Sequence, residues 1–389
     1  APTPTRTSPG PSPDAASEPL TRPLPALLIG GVAITIALAW FTYLFVGARD
    51  GTGIGGAFAD AWAFDLDAYV LAAQRLTAEG SLYARELVAA PFEPGDPDLF
   101  YYAPPLGVAM LPLADVPMAD SSALWFALRV GLLLAACLLM PVQPLIRALA
   151  FLTVGFTLWA MKDAILGNVS ILLVFPLVLA WRWLDRPLGS VALAASMSVR
   201  PGLGLFLLWQ GLRRQWRALA WTVGAGLVLI ALTLPFVGID GYRDYFTVVG
   251  NLSVPAGLSE NRDLGATVQS LGADATVVAV VRLLSIGIGV GIVVLGLRRD
   301  REISFMLALC GSLLIVPLLW ELYLLTLILP VALLAERLRP VVLLLMLVSW
   351  LPALLTPFML LGVVVLLFLS PGPREELPGP EAAQPAGAA

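Results

Sequence analysis

The chain has no histidine, two cysteines and, among its 23 basic residues, a single lysine, Lys162. Without histidine there can be no His-based catalytic triad, no imidazole metal ligand and no imidazole proton relay. Cys137 and Cys310 each stand alone in an apolar run, so neither a disulfide framework nor a Cys-based metal motif can be assembled. Charge is scarce as well. Asp, Glu, Lys and Arg make up 13% of the 389 residues, against roughly 25% in soluble domains. A chain so poor in charge cannot wet its own surface, which excludes a soluble fold. What fills the sequence instead is apolar: 59% of residues are hydrophobic and the mean hydropathy is +0.87. The composition predicts an all-α polytopic membrane protein.

Residues 1–23 and 371–389 are rich in Pro, Ala, Ser, Thr and Glu, and read as disordered tails, the first of them cytoplasmic. Residues 24–370 read as one transmembrane domain. The first apolar run, Pro25 to Val46, is too long for a signal peptide and lacks a small-residue cleavage site, so it is expected to be a retained anchor. Further spans are expected at 122–141, 145–160, 168–184, 188–212, 216–237, 275–297, 303–318, 321–336 and 339–369. The stretches 188–212 and 339–369 are predicted to be helix pairs, broken near Arg200-Pro201 and near Pro352, because proline removes a donor and restricts the residue before it. The expected total is about 10–13 membrane helices, at about 20 apolar residues for a full crossing. Residues 103–118 are apolar enough to cross, but a full span there spoils the downstream parity; they are assigned as a short re-entrant or interfacial helix.

Arginine placement gives the orientation. Arg182 and Arg186, then Arg213, Arg214 and Arg217, then Arg298, Arg299 and Arg301, then Arg337 and Arg339 occupy short connections, which the positive-inside rule makes cytoplasmic. The opposite connections are acidic. Residues 48–103 carry nine carboxylates against three arginines, and 238–275 carry five against two, so both are expected to be outer loops. Within the first, Tyr69, Ala72, Ala73 and Leu76 fall on one helical face ahead of Gly80, which predicts an amphipathic helix over 67–79 lying along the membrane surface.

This topology gathers the polar residues of interest on the outer side: Asp65, Asp67, Tyr101, Tyr102, Lys162, Asp163, Asn168, Arg200, Asn261, Asp263, Trp320 and Glu321. Each has a plain structural reading beside the functional one. Asp65 or Asp67 could be the N-cap of the loop helix. Lys162-Asp163 could be a snorkelling interfacial pair. Arg200, isolated in an apolar stretch, needs a carboxylate or an anionic ligand, and Glu321 could supply the former. Trp320 could be an interfacial belt residue.

Several runs together resemble a known family. Asp65-Leu66-Asp67-Ala68-Tyr69, then Gly80-Ser81-Leu82-Tyr83, then Phe100-Tyr101-Tyr102-Ala103-Pro104-Pro105 resemble the first outer loop of glycosyltransferase family 87. These are GT-C-type enzymes that use polyprenyl-phosphate sugars and include the phosphatidylinositol mannoside mannosyltransferases. Gly167-Asn168-Val169-Ser170, Arg200-Pro201, Asn261-Arg262-Asp263-Leu264 and Val316-Pro317-Leu318-Leu319-Trp320-Glu321-Leu322-Tyr323 follow in the family's order, and the resemblance runs over about residues 25–370. The chain departs from the family pattern at Leu322, where His is usual, at Asn168 for Gln, and at Arg262-Asp263 for Gln-Ser.

The resemblance implies a GT-C-like bundle in the plasma membrane with its site on the extracytoplasmic face. It implies transfer of a hexose, mannose above others, from a polyprenyl phosphate to a lipid- or glycan-linked acceptor, with inversion. Asp65 would be the general base, with Asp67 the second choice. Arg200 and Lys162 would bind the donor phosphate, held by Asp163 or Glu321. Tyr102, Asn168 and Asn261 would contact sugar hydroxyls, and Trp320 would stack on a sugar face. The expected partners are the lipid-linked donor, the acceptor and membrane lipid, with no nucleic acid, no cofactor and no metal. A transporter or flippase for a lipid-linked or anionic substrate, or a catalytically inactive relative, is the alternative.

Overall fold

A computed structural model describes residues 24–93, 99–252, 261–352 and 355–372. The tail expected at 1–23, and that expected at 371–389 apart from residues 371 and 372, lie outside the described residues. The architecture is all-α, with no strand among the described residues and only two isolated bridges, Phe92 with Leu252 and Asn261 with Trp320.

The longer helices are α1 (Leu24–Asp50), α2 (Phe64–Glu79), α3 (Met118–Leu139), α4 (Pro144–Gly155), α5 (Leu158–Leu166), α6 (Ser170–Arg182), α7 (Pro187–Val199), α8 (Leu205–Leu212), α9 (Trp216–Asn251), α10 (Ala275–Gly296), α11 (Arg301–Leu314), α12 (Ile328–Arg337) and α13 (Thr356–Leu369). Four of them, α1, α3, α9 and α10, are long and apolar enough to cross a membrane alone; α4 and α5 form a fifth candidate bent by 67°. The other apolar stretches are shorter and do not reach across singly. This protein is a polytopic α-helical membrane protein.

Long and short helices occupy different places. In α1 one face, Ala33, Ala37, Phe41, Leu44 and Ala48, packs into the protein, while Leu27, Leu28, Val32 and Ile36 point outward. The outward side of α9 carries Leu227, Val228, Leu232 and Phe236, each more than half exposed. Such faces are stable only against lipid. By contrast, α11 is buried from Ile303 to Leu314 and α12 from Ile328 to Ala335. A helix apolar all round belongs inside, and here protein surrounds α11 and α12 while α1 and α9 lie at the rim.

Proline and glycine set the breaks. The expected interruptions at Arg200-Pro201 and before Pro352 are present, as α7 stops at Val199 and a 3-10 turn runs over Pro340–Trp350. Helix α9 leaves the membrane direction at Gly238, whose φ of 64° and ψ of −176° suit only glycine. Its second half, with Tyr242, Tyr245 and Val248, then covers the outer loop. The expected span 145–160 differs: it ends at Gly155, and α5 restarts at a sharp angle because the Thr157 hydroxyl caps it, accepting from the Ala160 N–H at 3.1 Å. Residues 104–109 form a helix of six residues, too short to cross.

The loops expected to be outer build a second hydrophobic core on one end of the bundle. Helix α2 begins at Phe64, three residues earlier than the pattern suggested, and buries Leu66, Tyr69, Val70, Ala72, Ala73 and Leu76. Tyr69 meets Tyr102 and Phe100 edge-on, at 5.3 and 6.3 Å between ring centroids. The apolar face of α2 is therefore covered by the chain itself rather than left for lipid.

The two ends of the bundle are chemically distinct. At one end Arg337 binds Asp300 (2.8 Å) and Glu302 (2.9 Å), Arg301 pairs with Asp185, and Arg182 donates to the Leu139 carbonyl (2.9 Å). Helix α6 runs from Ser170 to Arg182 in this basic end, and α7 runs back from Pro187 to Val199, with Arg200 just beyond it. Ser170 and Arg200 thus meet at the opposite end, under the outer loops.

Candidate active site

Pro201 forces Arg200 out of the α7 helix into an extended conformation, φ −132° and ψ 94°. The side chain turns inward and is buried. Its guanidinium lies over the Tyr323 ring, 3.3 Å from the centroid, and Nη2 donates to the Ser170 hydroxyl at 3.0 Å. Nη1 is buried with no hydrogen-bond partner. The carboxylate partner considered for it, Glu321, is engaged elsewhere: it binds Lys162 through Oε1 and Arg262 Nη2 through Oε2 at 2.7 Å. Arg200 has no ion pair among the described residues.

Lys162 and Asp163 are not a pair. They leave α5 in different directions, Lys162 to Glu321 and Asp163 to Arg129 at 2.9 Å. Arg129 is fully buried in α3 and ties down the end of α5, donating also to the carbonyls of Asp163 (2.7 Å), Ala164 (3.0 Å) and Asn168 (3.0 Å). Asp163 Oδ2 accepts from the Ile171 N–H at the start of α6 (3.2 Å), and Trp125 donates to the Gly167 carbonyl (2.7 Å). These bonds fix the turn between α5 and α6. Gly167 makes it possible, with a φ of 82° and Leu66 so close that an added Cβ would lie 2.7 Å from that residue's Cβ.

The turn presents Asn168 to α2. Asn168 Nδ2 donates to Asp65 Oδ2 at 2.8 Å, while its Oδ1 accepts from the Ser170 backbone N–H (3.0 Å) and hydroxyl (2.8 Å). Asp65 does not cap α2: the N-cap is Ala63, in a left-handed conformation, whose N–H reaches back to the Ile165 carbonyl at 2.8 Å. The carboxylates of Asp65 and Asp67 fall inside the first turn instead, where negative charge is favourable. Asp65 is half-buried but ringed by protein, and this loss of hydration pushes its pKa up to about 6, against the opposing pull of the Asn168 hydrogen bond and the Arg129 charge. Its Oδ1 makes no hydrogen bond among the described residues.

Around these groups stands an aromatic wall. Tyr101 and Tyr102 stack at 5.4 Å, Tyr69 donates to the Tyr102 hydroxyl (3.3 Å), and Trp320 donates to the Tyr101 hydroxyl (3.2 Å). Trp320 is thereby anchored to the outer loop rather than standing as an isolated belt residue. Asn261, expected to contact a sugar, is bonded within the protein. Its amide bonds Asp263 (2.8 Å) and the Pro317 carbonyl (3.4 Å), and its carbonyl oxygen accepts from the Leu319 and Asp263 N–H groups (3.0 and 3.1 Å). All its polar capacity goes into clamping the 261–263 segment to the one before Trp320. Asp263 caps the following short helix and pairs with Arg282 at 3.2 Å.

Asp65, Asn168, Arg200, Tyr102, Trp320 and the Lys162–Glu321 pair therefore share one end of the molecule. Sequence reasoning passed over Arg129, Ser170 and Arg262. Arg129 carried a readable signal, since it is as isolated in its apolar span as Arg200 is. Among the described residues no three acidic or thiol side chains group as a metal-binding set.

No curated protein and no solved structure matches the chain. The family model of glycosyltransferase family 87 matches residues 100–320, more than half of the sequence. The matched stretch includes Tyr102, Lys162, Asn168, Arg200, Asn261 and Trp320, while Asp65 precedes it. With that match lying across the helices and outer segments that assemble the site, the chain belongs to glycosyltransferase family 87 and is a membrane glycosyltransferase.

Proposed function

We propose that the protein transfers a hexose, mannose first, from a polyprenyl phosphate to a lipid- or glycan-linked acceptor on the extracytoplasmic face of the plasma membrane. The observation that carries this reading is the pairing of a half-buried carboxylate with a buried, uncompensated cation at one end of the bundle. Asp65 accepts the proton of the acceptor hydroxyl through its free Oδ1 as that oxygen attacks the anomeric carbon. A base with a pKa of about 6 suits this role, being ionised at neutral pH while still basic enough to take a proton. The bond from the anomeric carbon to the phosphate oxygen breaks, and the sugar leaves inverted.

The departing group is an anionic phosphate. Arg200, whose Nη1 lacks a partner, supplies the fixed positive charge that stabilises it. One uncompensated guanidinium matches the single charge of a phosphodiester donor. Lys162 and Arg262, sharing Glu321, extend the positive region, and Tyr102 and Trp320 offer ring faces to the sugar. These cations meet the developing charge, and the reading assigns no cofactor or metal. Asp67 is the alternative base. The family match favours transfer over the transporter reading.

The test is transfer of labelled sugar from polyprenyl-phosphate mannose, and from its glucose and arabinose counterparts, into native membrane lipid by the purified protein. Asp65→Asn is expected to lower transfer by about 10²–10⁴-fold without unfolding the protein. Transfer unchanged in Asp65→Asn would shift the base to Asp67, and no transfer from any of the three donors would leave an inactive relative.

A further inference from the structure

The hydrogen bonds between Arg200 and Asp65 have a direction that the geometry fixes. A backbone N–H can only donate, so the atom of Asn168 facing the Ser170 N–H at 3.0 Å is its carbonyl oxygen. That leaves the Asn168 amide N–H to face Asp65, at 2.8 Å. A guanidinium also only donates, so the Ser170 hydroxyl accepts from Arg200 Nη2 at 3.0 Å. Its own proton then goes to Asn168 Oδ1 at 2.8 Å. Every donor points the same way, from the cation to the carboxylate. Serial hydrogen bonds polarise one another in a medium of low dielectric.

We propose that Ser170 and Asn168 are positioning residues forming a one-way relay from Arg200 to Asp65, through which an anion bound at Arg200 makes Asp65 a stronger base. The inference rests on the reading of Asp65 as base and Arg200 as phosphate anchor. An anion on the buried, unpartnered Nη1 draws the guanidinium charge toward itself. Nη2 becomes a weaker donor, Ser170 and Asn168 are less polarised, and the Asp65 carboxylate loses part of the hydrogen bond that stabilises its ionised form. Donor binding thus readies the base, and an empty site leaves it weaker.

The groups that face Asp65 are Arg129 and Asp163 from the bundle, Tyr101, Tyr102 and Tyr323 from the aromatic wall, and Tyr69 on its own helix. The Arg129 and Asp163 charges compensate each other through their 2.9 Å ion pair. Ser170 and Asn168 form the chain of serial hydrogen bonds from Arg200 to Asp65, while Tyr323 lies against the Arg200 guanidinium and also faces Asp65.

The experiment titrates Asp65 directly in the full-length protein in detergent. Infrared difference spectra of ¹³C-aspartate-labelled protein, with Asp65→Asn subtracted, isolate its carboxyl band, with and without dibutyl phosphate, a phosphodiester that stays singly charged across the range. Asn168→Ala is expected to raise the Asp65 midpoint by about one pH unit, a tenfold gain in proton affinity. Asn168→Asp, which keeps the shape but replaces the donor by a carboxyl, is expected to raise it further. Dibutyl phosphate is expected to raise the wild-type midpoint and to raise it less in Ser170→Ala, with Ser170→Thr restoring the response. A midpoint unmoved in both Asn168 variants, or an anion response equal in wild type and Ser170→Ala, would overturn the relay. The band is read without any turnover, so a wild type that transfers no sugar bears on the function above and leaves this result standing.

Discussion

The site is held by a few buried ions whose partners decide their roles. Arg129 and Asp163 are fully buried and bind each other, so neither is available to a ligand. Arg129→Met would leave Asp163 charged and uncompensated, a change that costs about 3–5 kcal/mol when one member of a buried pair is removed. We expect a clear drop in the thermal midpoint in detergent, largely restored in Arg129→Met with Asp163→Asn. With Asp65 as the proposed base, it sets the pH dependence. Its pKa is raised, so its carboxylate is protonated as pH falls through about 6. Transfer should be flat above that value and fall about tenfold per unit well below it, as expected for one protonation. A flat rate down to pH 4 would exclude Asp65 as the base. Arg200 was read from the sequence and Arg129 was missed, although each is a guanidinium in an apolar run that demands an explanation. Their partners were not legible, since Glu321 could have served Arg200 by charge alone. Only the fold reveals that Lys162 and Arg262 hold it instead.

Helix breaks position these residues. Those at Arg200-Pro201 and Gly238 were readable, because proline and glycine leave a local signature that burial cannot erase. The bend between α4 and α5 was not, for its cause is a Thr157 cap with no proline at the joint. The start of α2 was misplaced for a related reason. The N–H of Ala63 binds the distant Ile165 carbonyl, a contact no local pattern encodes. The turn at Gly167 tests how finely these elements are set. Gly167→Ala would meet Leu66 and strain a left-handed backbone. We expect it to separate Asn168 from Asp65, lowering transfer at least tenfold while the protein remains folded and extractable. Full activity in this variant would mean that the contact between the turn and α2 is dispensable.

The whole molecule is polarised between an arginine-rich end and an end that carries the site. Charge bias made this readable from the sequence, because it sums over many residues and survives errors at any one boundary. The number of full crossings was harder to read, because protein-packed helices such as α11 and α12 also present unbroken apolar runs, though shorter ones. The proposed orientation has a direct check. Cys137 and Cys310 are buried, so a cysteine introduced at exposed Glu86 or Arg186 reports alone. In intact cells an impermeant maleimide should label Glu86→Cys, and should label Arg186→Cys only after permeabilisation. The reverse pattern would place the site in the cytoplasm.

The shortage of lysine has a practical counterpart. The only lysine side chain in the chain is Lys162, partly exposed and bound to Glu321 beside the proposed phosphate anchor. An amine-selective fluorophore or crosslinker therefore has one side-chain target, and that target is in the proposed site. A chain otherwise built with arginine carries its own single-point handle for spectroscopy and ligand capture, with no residue to be added or removed.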